Sequence, residues 1–138
     1  MLRTFSPIII MINPVVSHTL TVVWIGMLLG VVSGAVIGLY FHREDWMGGY
    51  SSYRRRLTRL GHISFFGLAF VNMAFAMTQH LSPLAKNWDY AALTFFTIGA
   101  ITMPTVCFLT AWKKPWRHLF FIPVGGVLGG VILTLFMK

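Results

Sequence analysis

Four long stretches of this chain, about 14–41, 61–80, 90–112 and 118–137, contain no Asp, Glu, Lys or Arg. A helix needs roughly 20 apolar residues to cross a bilayer, and ionisable side chains inside hydrocarbon are costly. Each stretch is therefore predicted to be a transmembrane helix. Hydrophobic residues make up 57% of the 138, and charged residues 10%. A soluble domain carries about 45–50% and 25%, so a soluble globule of this size has nowhere to hide so much apolar surface. The expected fold is all-α: one domain over residues 1–138, with four transmembrane helices in an up-down-up-down bundle.

Proline and asparagine mark the boundaries. Asn13 followed by Pro14 is a helix-start pair, a cap and an N1 residue. Pro83 lies just past the second span. Pro104 falls inside the third and is expected to kink it. Pro123 sits in the first turns of the fourth. The apolar piece at about 5–12 is too short to span, and it reads as an extended or interfacial lead-in. It lacks the basic n-region and small-residue cleavage site of a signal peptide.

The formal charge of +8 comes from 11 Lys+Arg against 3 Asp+Glu. Its placement explains it. Arg43, Arg54, Arg55, Arg56 and Arg59 lie between spans one and two, and Lys113, Lys114 and Arg117 between spans three and four. Only Arg3, Lys86 and Lys138 fall on the other side. Basic loops stay in the cytoplasm, so both termini are expected outside. The chain's small size and loop charges point to a prokaryotic-type inner membrane. Basic residues beside apolar spans signal topology and lipid headgroups, and nucleic acid is not an expected partner. Between spans one and two, Tyr50, Tyr53, Leu57 and Leu60 recur at helical spacing, with Arg54, Arg55, Arg56 and Arg59 among them. That pattern predicts a short basic amphipathic helix lying on an anionic leaflet or docking to an acidic partner subunit.

Glycine carries the strongest internal pattern. Gly26, Gly30, Gly34 and Gly38 recur every fourth residue in span one. Gly125, Gly126, Gly129 and Gly130 form two overlapping GxxxG registers in span four. A missing Cβ lets another helix, or a flat ligand, approach the backbone closely. The ridges are read as packing faces, with a groove for a flat cofactor such as a porphyrin, quinone or carotenoid as the functional alternative.

Five histidines supply the candidate ligands. His62 and His80 are 18 residues apart, about five turns, so both project from one face of span two. Paired imidazoles at one depth are what axial ligation of haem b requires. His18 with His80 is the outer candidate pair, and His62 with His42 or His118 the inner one. The outer pair levels only if span one tilts or projects. The stretch from His18 to His42 is about 36 Å long, and that from His62 to His80 about 27 Å, at 1.5 Å per residue. His42 and His118 adjoin charged residues and are expected to be solvated. The plan is similar to that of small four-helix membrane cytochromes b, an analogy of architecture.

Enzyme chemistry finds no footing. The acids are Glu44, Asp45 and Asp89, all outside the spans, and no HExxH motif occurs. One cysteine, Cys107, excludes a disulfide framework and a CxxCH haem attachment. The spans' Asn72 and threonines are expected to bond between helices or to their own carbonyls. Spans without ionisable residues disfavour a pump or coupled transporter. The chain is thus expected not to be catalytic alone, and to work as a subunit of a larger membrane complex. Two readings lead: an electron-transfer subunit of a respiratory or photosynthetic assembly, binding haem b through His18, His62 and His80 and contacting quinone, or a cofactor-free structural subunit packing by its glycine faces. A small transporter or channel comes third.

Overall fold

The computed structural model describes residues 13–137. The expected lead-in at 5–12, with Arg3 and Lys138, lies outside them. Four helices follow in order: α1 (Pro14–Tyr40), α2 (Tyr53–Leu81), α3 (Lys86–Trp112) and α4 (Phe121–Phe136). α1, α2 and α3 are each long and apolar enough to cross a membrane, and so is α4 together with the helical turns before it, over Lys114–Phe136. The chain is an all-α integral membrane protein.

Local chemistry sets the ends. The Asn13 side chain accepts from Val15 N at 2.9 Å, with Pro14 opening α1. Ser52 caps α2 by accepting from Arg55 N at 3.1 Å, while its own hydroxyl donates to Met47 O at 2.8 Å. One serine therefore ties the helix start to the loop before it. That loop turns through three successive positive φ angles, at Met47, Gly48 and Gly49. Glycine adopts that conformation freely, and Met47 is the strained member.

The basic segment differs from its expected form. It is not a separate surface helix but the first turns of α2, which runs unbroken for 29 residues. Gly61 does not interrupt it, because the missing Cβ admits α3: an added one would lie 3.0 Å from the Phe108 ring. The third helix likewise starts at Lys86, ahead of the expected 90, and α3 continues through Pro104 to Trp112. The fourth span is built in two parts, a 3-10 segment Lys114–Phe120 running into α4.

Neighbours in sequence are neighbours in space. α1 packs on α2, α2 on α3 and α3 on α4, with α1 also leaning on α3. Among the described residues α1 and α4 make no extended contact, so they are the outer helices. The core lies at the end away from the basic loops. Val15, Phe75, Leu84, Ala92 and Phe96 form it, and the Phe75 and Phe96 rings sit 5.0 Å apart. Leu84 enters it from the α2–α3 turn, held there because its N–H donates to the buried Gln79 Oε1 at 3.2 Å.

Candidate functional site

The glycine ridge of α1 meets rings of α2 in antiparallel register. A Cβ at Gly34 would lie 2.6 Å from His62 Cε1, and one at Gly30 would lie 2.7 Å from the Phe66 ring. A Cβ at Gly26 would touch Ala69 Cβ and Phe65 O at 3.4 Å. His62 and Phe66 are one turn apart and meet edge to face, with centroids 5.5 Å apart and planes at 89°. The slots at Gly30 and Gly34 are filled by side chains of the same chain, while Gly26 borders a cavity of about 260 Å³ with Val22, Phe65 and Thr97.

His62 is half-buried and hydrogen-bonded. Ser33 Oγ lies 3.1 Å from His62 Nδ1 and 3.1 Å from Gly30 O. The hydroxyl has one proton. When that proton goes to Gly30 O, the imidazole donates from Nδ1 and keeps its lone pair on Nε2.

A second glycine seam joins α3 to α4. A Cβ at Gly126 would strike backbone, with Phe95 O at 3.0 Å and Gly99 N at 3.1 Å. Added Cβ atoms at Gly129 and Gly130 would lie 2.9 Å from the rings of Phe95 and Phe96. Gly99 itself faces Val127, whose Cγ2 would be 2.6 Å from an added Cβ. Sequence reasoning missed Gly99, a lone mid-span glycine in no GxxxG register. By contrast, Gly38 and Gly125 match the ridge spacing, yet a Cβ at either would meet nothing within 4 Å. Neither of these two glycines packs against another of the described residues.

The three candidate ligands sit in three separate places. His18 is exposed and lines a groove between α1 and α3 with Thr21, Val22, Leu93 and Thr97. His80 is exposed and lines a groove between α1 and α2 with Val16, Leu20, Met73 and Met77. His18 and Leu20 project about 200° apart around α1, at about 100° per residue. The two grooves therefore open on different sides of that helix. The structure does not bring His18 and His80 together. His62 is in the α1–α2 seam, and His42 and His118 are exposed near the basic loops.

The polar groups within the spans are a further layer that sequence reasoning assigned only in part. Thr94, Thr102 and Thr105 donate to carbonyls four residues back, as expected. Asn72 is fully buried and donates to Leu68 O at 2.8 Å, but its Oδ1 has no partner. Gln79 Nε2 and Thr110 Oγ1 are likewise buried and, among the described residues, unpartnered.

The basic end is more ordered than a solvated charge run. Arg54 Nε donates to Ala111 O at 3.1 Å, closing a carbonyl in the last turn of α3. Arg59 donates to Tyr50 O at 3.4 Å and covers the Tyr50 ring at 4.5 Å. Arg56 is exposed. Arg55, expected at the headgroups with its neighbours, is instead 2% exposed. Its guanidinium lies over Phe41, Trp46 and Tyr50, at 4.8, 5.6 and 5.3 Å from their centroids. The loop's aromatic residues fold back over it, which the linear pattern of arginines does not reveal. Compared with family models, curated proteins and solved structures, the chain matches none.

Proposed function

We propose that this chain is a structural subunit of a larger complex in a prokaryotic-type inner membrane, with its basic loops in the cytoplasm and both termini outside. One observation carries the reading. The inner glycines are matched by the chain's own rings and backbone, while Gly38 on α1 and Gly125 on α4 face open space. α1 and α4 are also the outer helices, lined with exposed Leu28, Val32, Leu39, Val124 and Leu128. Small residues on a lipid-facing helix permit close approach of another helix, so Gly38 and Gly125 are where neighbouring subunits would seat. The exposed Arg56 and the Lys113–Lys114 pair suit anionic headgroups around such an assembly.

The test is purification of the tagged chain from its native membranes in mild detergent. Other membrane subunits should co-purify, and Gly38→Leu with Gly125→Leu should release them while leaving the isolated chain's melting temperature unchanged. Unchanged co-purification with both substitutions would remove the reading.

The electron-transfer alternative draws on His62, whose bond to Ser33 is the kind of outer contact that orients a ligating imidazole. Spectra of the same preparation, oxidised and dithionite-reduced, separate the two. A b-type haem spectrum lost on His62→Ala would replace the structural reading with the electron-transfer one.

A further inference from the structure

The cleft where α1 hands over to the loop has an unusual charge make-up for the basic end of this protein. Its lining is Phe41, Glu44, Tyr50 and Arg55. Its volume is about 540 Å³, within the roughly 300–1,000 Å³ usual for small-ligand sites. Arg55 is buried, and its one side-chain hydrogen bond goes to Phe41 O at 3.3 Å. Its Nε is buried with no partner among the described residues. A buried guanidinium with an open donor is costly unless an acceptor completes it. The aromatic faces around it offset part of that cost but accept no directed bond from Nε. On the same cleft wall Glu44 is exposed, a carboxylate beside two aromatic rings.

We propose that this cleft binds the phosphoethanolamine headgroup of a bilayer phospholipid. The phosphate accepts from the part of the Arg55 guanidinium that lines the cleft, and the primary ammonium donates to the Glu44 carboxylate. The zwitterion matches the wall in sign at both ends. An anionic glycerol headgroup would satisfy Arg55, but its hydroxyls offer Glu44 only neutral donors, weaker than the charge-assisted bond from an ammonium. A choline headgroup carries the positive charge but has no N–H to donate to Glu44. The position fits a lipid site, because Tyr40, Trp46 and Tyr50 cluster here as interfacial aromatic residues do, with Tyr40 and Trp46 stacked at 5.7 Å. The inference concerns the chain alone and stands whether or not it joins a larger assembly.

The experiment measures the melting temperature of the purified full chain in mixed micelles containing phosphatidylethanolamine, phosphatidylglycerol or phosphatidylcholine at one mole fraction. Phosphatidylethanolamine should raise it at least about 4 °C above the other two, a readable shift for a domain of this size. Glu44→Gln alters an exposed side chain and should fold normally. It should erase the advantage over phosphatidylglycerol. Arg55→Lys keeps the charge without Nε and should reduce the response to all three lipids. If Arg55→Lys fails to fold, the Glu44→Gln comparison decides. Water-soluble phosphoethanolamine giving the full shift without lipid would keep the chemistry and make the free solute the ligand. Equal shifts from the three lipids, or an ethanolamine preference that survives Glu44→Gln, would overturn the proposal.

Discussion

His62 occupies the space a side chain on Gly34 would need: an added Cβ there would stand 2.6 Å from the ring's Cε1. The same ring is bonded to Ser33, the residue before Gly34, so it cannot swing away without breaking that bond. Glycine and histidine thus form one lock between α1 and α2.

Gly34→Leu should therefore loosen the α1–α2 pair. Overpacking of this kind costs about 1–3 kcal/mol, and thermal unfolding in detergent would read it. Adding His62→Ala should restore part of the loss, because the two residues share one volume. Additive losses in the double variant would show that the clash lies elsewhere.

Gly125 and Gly126 give a sign test at adjacent positions. Alanine gains up to about 1 kcal/mol of helix propensity over glycine. At Gly125 nothing opposes it, so Gly125→Ala should hold or raise the melting temperature of the isolated chain. At Gly126 the new methyl would meet Phe95 O and Gly99 N, backbone atoms that no rotamer change can move. Gly126→Ala should lower the melting temperature. The same response at both positions would contradict the described α3–α4 seam.

Arg54 should stabilise the end of α3 rather than the bundle as a whole. Arg54→Ala removes the donor to Ala111 O, a loss of about 1.5–3 kcal/mol for a bond from a charged group, less where water replaces it. Hydrogen exchange should quicken in the last turn of α3 while the Val15–Phe75–Phe96 core keeps its protection. Arg54→Lys should recover only part of it, since the ammonium must reach the same carbonyl without the guanidinium's geometry.

Orientation is open to direct labelling. In a Cys107→Ala background, single cysteines at the exposed positions Ser51 and Asn87 lie at opposite ends of the helices. Impermeant maleimide on intact cells should label Asn87→Cys and spare Ser51→Cys if the proposed topology holds, since the eight basic residues on the Ser51 side favour the cytoplasm. The reverse pattern would invert the assigned topology.

How much of this was legible in advance depended on the range of the interaction. The span interiors announce themselves, because the lack of charge over 20 residues has one physical outcome. The Asn13–Pro14 start is equally local, and it appears as read. The start of α2 was not legible, since hydropathy falls at the arginines while helical geometry continues through them. Glycine spacing marked both seams, but it could not separate Gly34 from Gly38, because only the opposite helix decides which glycine is covered. Arg55 is the clearest limit. Four arginines look alike in the sequence, and the one that turns inward is selected by loop aromatics up to 14 residues away.

The order of the helices has a consequence for biogenesis. From α2 onward, each helix packs extensively on the one made just before it. Contacts of that kind are short in sequence and cost little loop-closure entropy. Each new helix leaving the insertion machinery can therefore dock at once on a surface already waiting in the lipid, with α4 closing against α3 alone. A chain released after α3 would lack only that final layer, and its α1–α2 lock would already be set.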